Sequence, residues 1–281
     1  MIYKDKNYQK ERELYAISDS EVINCKFEGK EDGESPLKEC KNIKVNGCVF
    51  KLRYPFWHND NTFIKNSSFD ETSRAPFWYC NNLSFDNVVC DGVKAIREVN
   101  NVNINNSHFH SEEFGWKCNK ITLLNSIFEG PYFMFASKNL NMDNCKLYGK
   151  YSFQYMDNVR IENSILKTKD AFWHCENVIV INSVLEGEYI GWYSKNLTLI
   201  NCKIKGTQPF CYCQKLKLIN CEMIDADFAF ENSTVNATLK GSLISIKNPI
   251  KGKIIVDRVD EIILDEYKKK GKVEIIQNKN K

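Results

Sequence analysis

The 281-residue chain is predicted to be all-β: a single-stranded, three-sided parallel β-helix with about 19 residues per coil. Three observations lead there. Asn recurs at positions 66, 87, 106, 125, 144, 163, 182, 201 and 220, in steps of 19 residues apart from one step of 21. A fixed period of this size marks a solenoid. Within each copy, for example NVIVINSVL at 177–185, apolar and polar residues alternate with period two, which is the pattern of strands. The alternation breaks at regular corners that carry Asn or Gly, residues that accept a left-handed backbone. A left-handed β-helix needs a six-residue sub-repeat, which the sequence lacks, so a right-handed helix is expected. No segment reads as an α-helix, and the longer Leu-rich signature of a leucine-rich repeat is missing.

Each element of the coil follows from this pattern. Val178 and Val180 point inward, and Ile181-Asn182 turn a corner. Ser183 and Leu185 point inward on the second strand. A third corner then carries Gly at 92, 130, 149, 187 and 206. A second Asn column, 42, 61, 82, 101, 139, 158, 177 and 196, marks the corner before each long strand. Amides stacked in this way can bond from coil to coil. The first coil is read at 11–28, with Asn24 in the first column. The next has a longer connection, GKEDGESP at 29–36, and Gly47 in that column. The pattern fades after Asn220. One domain is therefore expected, with residues 1–244 as the β-helix and its N-terminal cap. Residues 245–281, containing IIVD, EIILD and YKKKGK, form degenerate coils that cap the end.

Composition narrows the function. A net charge of +3 is too small to suggest nucleic acid or an anionic membrane as partner. No apolar run is long enough to span a bilayer. The N-terminal stretch lacks the apolar core of a signal peptide, so a cytoplasmic protein is expected. Its twelve cysteines are expected to be buried thiols, because Cys and Ser alternate in the same columns where a small side chain fits. No metal-ligand spacing, nucleotide loop or nucleophile motif is present, so neither metal nor cofactor is expected.

The strand preceding each copy varies most. Its Trp column (57, 78, 116, 173 and 192) has two possible orientations: inward by strict alternation, or outward through a bulge. The fifth residue of each segment faces outward in either case. This predicts an outer strip with Tyr54, His58, Arg74, Tyr79, Lys94, Tyr155, Asp170, His174 and Tyr193 as binding residues. Grouped exposed aromatics suit sugar rings. Arg97, Glu98, Glu113 and Lys117, which adjacent coils bring together, are the candidates for acid–base chemistry. They could equally form an exposed charge network.

The segments ESPLKE at 34–39, YPFW at 54–57, DAFWHCENV at 170–178 and GEYIGWYSKNLTLINC at 187–202 resemble a bacterial family of right-handed parallel β-helix proteins. That family is known as a domain of unknown function. The resemblance covers nearly the whole chain and implies a pectin-lyase-like superfamily fold with carbohydrate as substrate class. It implies no established activity, so no catalytic residue is carried over. Pectate lyases use Asp clusters with calcium and an Arg or Lys base; this chain has no clear Asp cluster. The expected function is a carbohydrate-binding or carbohydrate-processing β-helix that uses the aromatic strip and takes a saccharide as partner. A non-enzymatic protein-interaction scaffold is the alternative.

Overall fold

The computed structural model describes residues 1–29, 34–265 and 272–278. Among the described residues there is no helix, and the paired strands run parallel. The chain divides into two compact units, Met1–Asn141 and Met142–Lys281. Each is a parallel β-helix.

In the first unit the long strands are Ile2–Lys4, Ser18–Ile23, Lys41–Asn46, Asp60–Lys65, Asn81–Asp86, Asn100–Asn105 and Asn119–Leu124, each paired with the next. The register advances one coil at a time, as in Leu83↔Val102 and Val102↔Ile121. Short strands such as Lys26–Phe27, Val49–Phe50 and Ser68–Phe69 form the second side. Their inward Phe27, Phe50 and Phe69 stack at 4.7 and 4.6 Å, so the core is a column of rings held at the strand spacing.

In the second unit the long sheet contains Asp157–Glu162, Glu176–Ile181, Lys195–Ile200, Leu216–Ile224, Thr234–Lys240, Lys251–Val256 and Lys272–Gln277. The coils after residue 244, expected to be a degenerate cap, pair as regular strands of this unit. The N-terminal reading also changes. A partial turn of two sides, strands Ile2–Lys4 and Asn7–Tyr8, precedes the coil read at 11–28. It was hidden because Asp5 stands where the Asn column should begin. Asp5 is left-handed like the Asn residues and accepts a hydrogen bond from Asn24 at 3.3 Å. Most of YKKKGK, and residues 30–33 of GKEDGESP, lie outside the described residues.

The corner Asn residues have φ between 48° and 65°, as the repeat predicts. Their amides bond between coils: Asn61 to Asn42 at 2.9 Å, Asn101 to Asn82 at 2.8 Å, Asn196 to Asn177 at 3.0 Å and Asn220 to Asn201 at 2.7 Å. Some bonds reach one position back instead. Asn66 donates to Asn46 at 3.0 Å, because Gly47 offers no side chain. Asn163 donates to the Asp143 carboxylate at 2.8 Å, a stronger acceptor than an amide. At the third corner Gly206 has φ +140°, and a Cβ there would sit 1.9 Å from the Gly187 carbonyl oxygen. Only glycine lets the coils approach so closely. All twelve cysteines are buried and free.

Candidate functional site

The third side of the coil departs from the expected strand. In each segment the first and fifth residues are left-handed: Tyr54 and His58, Lys94 and Glu98, Asp170 and His174, Tyr189 and Tyr193. From residue 113 onward the third is left-handed too, as at Gly115, Phe153, Phe172 and Phe210. A left-handed residue cancels the pleat, so neighbours no longer alternate. Two consecutive residues turn in, such as Pro55 and Phe56, and two turn out, such as Trp57 and His58.

This decides the Trp column: it faces outward, half-buried. Each indole Nε1–H donates to a carbonyl of the next coil: Trp57 to Ala75 (2.7 Å), Trp78 to Lys94 (2.7 Å), Trp116 to Tyr132 (2.8 Å), Trp173 to Tyr189 (2.9 Å) and Trp192 to Gln208 (2.7 Å). Trp57 stacks on Trp78 at 5.4 Å, and Trp173 on Trp192 at 5.6 Å. Arg97 fills the column between Trp78 and Trp116, with its guanidinium 5.0 and 5.5 Å from the two rings. An Arg is tolerated here because the column is half-exposed and both faces of the guanidinium find π-systems.

The fifth-residue column also stacks on itself. In the first unit His58 lies on Tyr79 at 5.1 Å. In the second, Tyr155, His174, Tyr193 and Tyr212 form a ladder with successive spacings of 5.1, 4.9 and 4.7 Å. Tyr155 and Tyr193 are 53% and 44% exposed, and Tyr193, stacked on both faces, presents ring edge to solvent. His174 and Tyr193 have neighbours on both faces, so a sugar ring has no face there to stack on.

The charged candidates pair among themselves. Lys94 Nζ is 3.3 Å from Glu113, and Arg97 Nε is 3.7 Å from Glu98. Arg74 and Lys117 are exposed on the same side, and Tyr54 packs on Trp57 at 4.6 Å. Asp170, expected on the outer strip, is buried instead. Burial holds its carboxyl above the usual range; Lys169 opposes this and Glu188 adds to it. The left-handed backbone at Asp170 does not set it apart, since Tyr54, Lys94 and Tyr189 share it at the same position of the coil and stay partly exposed. Among the described residues, no group of three His, Cys, Asp or Glu is placed to hold a metal ion.

A second surface escaped the sequence reading. On the long sheet of the second unit, the outward residues of successive strands line a groove of about 780 Å³. Asn177, Asn196, Lys215 and Lys251 contribute, with Ile179, Thr198 and Lys217 beside them. A shallower depression of about 310 Å³ adjoins it through Lys217, Asn236 and Lys253. Among the described residues no carboxylate lines either one. The signal was present in the repeat: Lys215 occupies the corner column that holds Asn177 and Asn196 in the preceding coils. The ladder from Tyr155 to Tyr212 precedes the groove strands by only a few residues in each coil.

Residues 1–277 match the family described as Protein of unknown function (DUF3737). The chain belongs to the DUF3737 family. This DUF3737 chain is similar in structure to PfbA, a surface adhesin of Streptococcus pneumoniae, with 9% identity, 85% of this chain and 82% of that chain covered, and a TM-score of 0.43. It is also similar to the periplasmic alginate epimerase AlgG, with 11% identity, 92% and 77% coverage and a TM-score of 0.32. A third neighbour is the A-module of the Azotobacter vinelandii mannuronan C-5 epimerase AlgE4, with 8% identity, 98% and 86% coverage and a TM-score of 0.26. At these scores no activity is transferred to the DUF3737 chain. A comparison with curated proteins gives no match.

Proposed function

We propose that this protein binds a saccharide chain along the groove on the long sheet of its second unit, and that the groove binds without cleaving. The observation that carries this reading is the lining: amides, two hydroxyls and ammonium groups arrayed over consecutive coils, with no carboxylate among the described residues that line it. Sugar hydroxyls donate and accept, and so do Asn and Thr side chains. Glycoside hydrolysis by the common route needs two carboxylic groups flanking the bond, and the groove offers none. The carboxylates of the candidate charge group, Glu98 and Glu113, lie in the first unit and are paired with Arg97 and Lys94.

The aromatic strip enters this reading in a changed role. The ring faces of His174 and Tyr193 are spent on their neighbours, so the ladder stiffens the third side, and its Tyr and His edges offer hydrogen-bonding groups near the groove. The protein-interaction scaffold remains the competing reading, because a self-stacked ladder has a structural use without any ligand.

A saccharide array probed with the intact protein tests the proposal, alongside Thr198→Trp, which fills the groove from an outward position. Binding by the native protein that is lost in Thr198→Trp, at unchanged thermal stability, is expected. Tyr79→Ala, in the first unit, should leave binding intact. Absence of any saccharide binding, or binding indifferent to Thr198→Trp, would refute the groove as the seat.

A further inference from the structure

The lysines of the groove follow a spacing of their own. Two outward rows run across the coils. In one, Lys217 neighbours Asn236, and Asn236 neighbours Lys253. In the other, the Lys215 backbone N–H donates to the Thr234 hydroxyl at 2.7 Å, and Thr234 neighbours Lys251. Over these three coils each row therefore carries an ammonium group on the first and third with a neutral polar residue between; on the next coil Lys251 neighbours Lys272 and Lys253 neighbours Glu274. Two coils span about 10 Å. Lys253 is paired with Glu274 at 3.3 Å. Lys215, Lys217 and Lys251 have no carboxylate partner among the described residues, although many other lysines of this chain do, for example Lys167 with Glu186 and Lys203 with Glu222.

Unpaired like charges held close together repel one another, and a chain with a net charge of only +3 has acidic residues available to pair with them. We infer that the groove is built for an acidic polysaccharide, whose carboxylate or sulfate groups meet Lys215, Lys217 and Lys251. This inference rests on the saccharide reading and specifies its substrate class. A pyranose unit in an extended chain advances about as far as one coil is high, ~5 Å. Anionic groups on every second sugar of one side then fall opposite the ammonium groups, and the intervening sugars fall opposite Thr234 and Asn236. A single-stranded nucleic acid fits less well, because among the described residues the groove lining has no aromatic side chain on which bases could stack.

The test compares polygalacturonate, chondroitin sulfate, a neutral cello-oligosaccharide and a single-stranded oligonucleotide by titration calorimetry at two salt concentrations. The intact chain is measured beside Lys217→Gln, Lys251→Gln and the double variant. The acidic saccharides should bind at least tenfold more tightly than the neutral one, and the preference should shrink at high salt. Each single substitution should weaken acidic binding several-fold, and the double variant should bind acidic and neutral chains alike. The polygalacturonate and chondroitin sulfate arms show whether carboxylate or sulfate is preferred. Equal binding of neutral and acidic chains by the native protein would overturn the charge inference and leave the saccharide reading standing. Binding of no saccharide at all would remove both. Tighter binding of the oligonucleotide than of any saccharide would assign the lysines to phosphate instead.

Discussion

Replacing Arg97 by Trp should stabilise the protein. In the Trp column the indole N–H reaches a carbonyl 16 residues ahead at four positions: 78 to 94, 116 to 132, 173 to 189 and 192 to 208. The same offset from Arg97 leads to Glu113. Arg97 makes no such bond, and its Nε is buried without a hydrogen-bond partner. A Trp would gain one hydrogen bond, about 1 kcal/mol, and two ring-on-ring contacts of about 0.5–1.5 kcal/mol each. It would forfeit two cation–π contacts of about 0.5–1 kcal/mol each at a half-exposed site. The ion pair with Glu98, at 3.7 Å and partly exposed, contributes little. The balance favours Trp by about 1 kcal/mol, with a further gain from removing the unpartnered Nε. Urea denaturation should show a higher midpoint at unchanged slope. Arg97→Met, which fills space without an N–H donor, should not exceed the native midpoint. If Arg97→Trp unfolds at a lower urea concentration than the native chain, or no later than Arg97→Met, the account of the column is wrong.

Other expectations follow from the same geometry. Gly206→Ala should cost several kcal/mol, because left-handed strain of about 1–3 kcal/mol is joined by a Cβ 1.9 Å from the Gly187 oxygen. Gly241→Ala, at φ +79° with nothing within 4 Å, should cost only the strain; equal losses would refute the close-approach argument. Burial pushes the thiols of Cys80, Cys118 and Cys175 up to about 12 from an ordinary value of 9.0. The unfolded chain releases those protons first, so this stabilisation is complete below about pH 9 and is lost as the pH rises toward 12. Denaturation midpoints measured between pH 8 and 11 should fall, and native thiol alkylation at pH 8 should be slow until denaturant is added. Glu113→Gln should leave saccharide binding unchanged and lower stability by no more than about 1 kcal/mol, since its pair with Lys94 is partly exposed; loss of a measured glycan-cleaving activity would instead restore Glu113 as a catalytic residue.

The sequence by itself determined the coil. Its length, the corner positions, the inward Val, Ile, Leu and Phe, and the small Cys and Ser columns all repeat at one interval, and each is a local preference of the residue that stands there. Asn at the corners reads directly as left-handed backbone, because its side chain tolerates that conformation. Left-handed backbone at Tyr54, His58, Phe153 or Asp170 has no such signal, since bulky side chains do not favour it. It is imposed by hydrogen bonds to the neighbouring coils, such as Tyr54 N–H to the Arg74 carbonyl and His58 N–H to the Trp78 carbonyl. Those few dihedral angles turned the Trp column outward. Stacking of coils then closed both ring faces of His174 and Tyr193. It also gathered Lys215, Lys217 and Lys251 into one groove from two separate stretches of chain. A surface of that kind exists only once coils are laid side by side, so the tertiary structure alone decided where the groove lies.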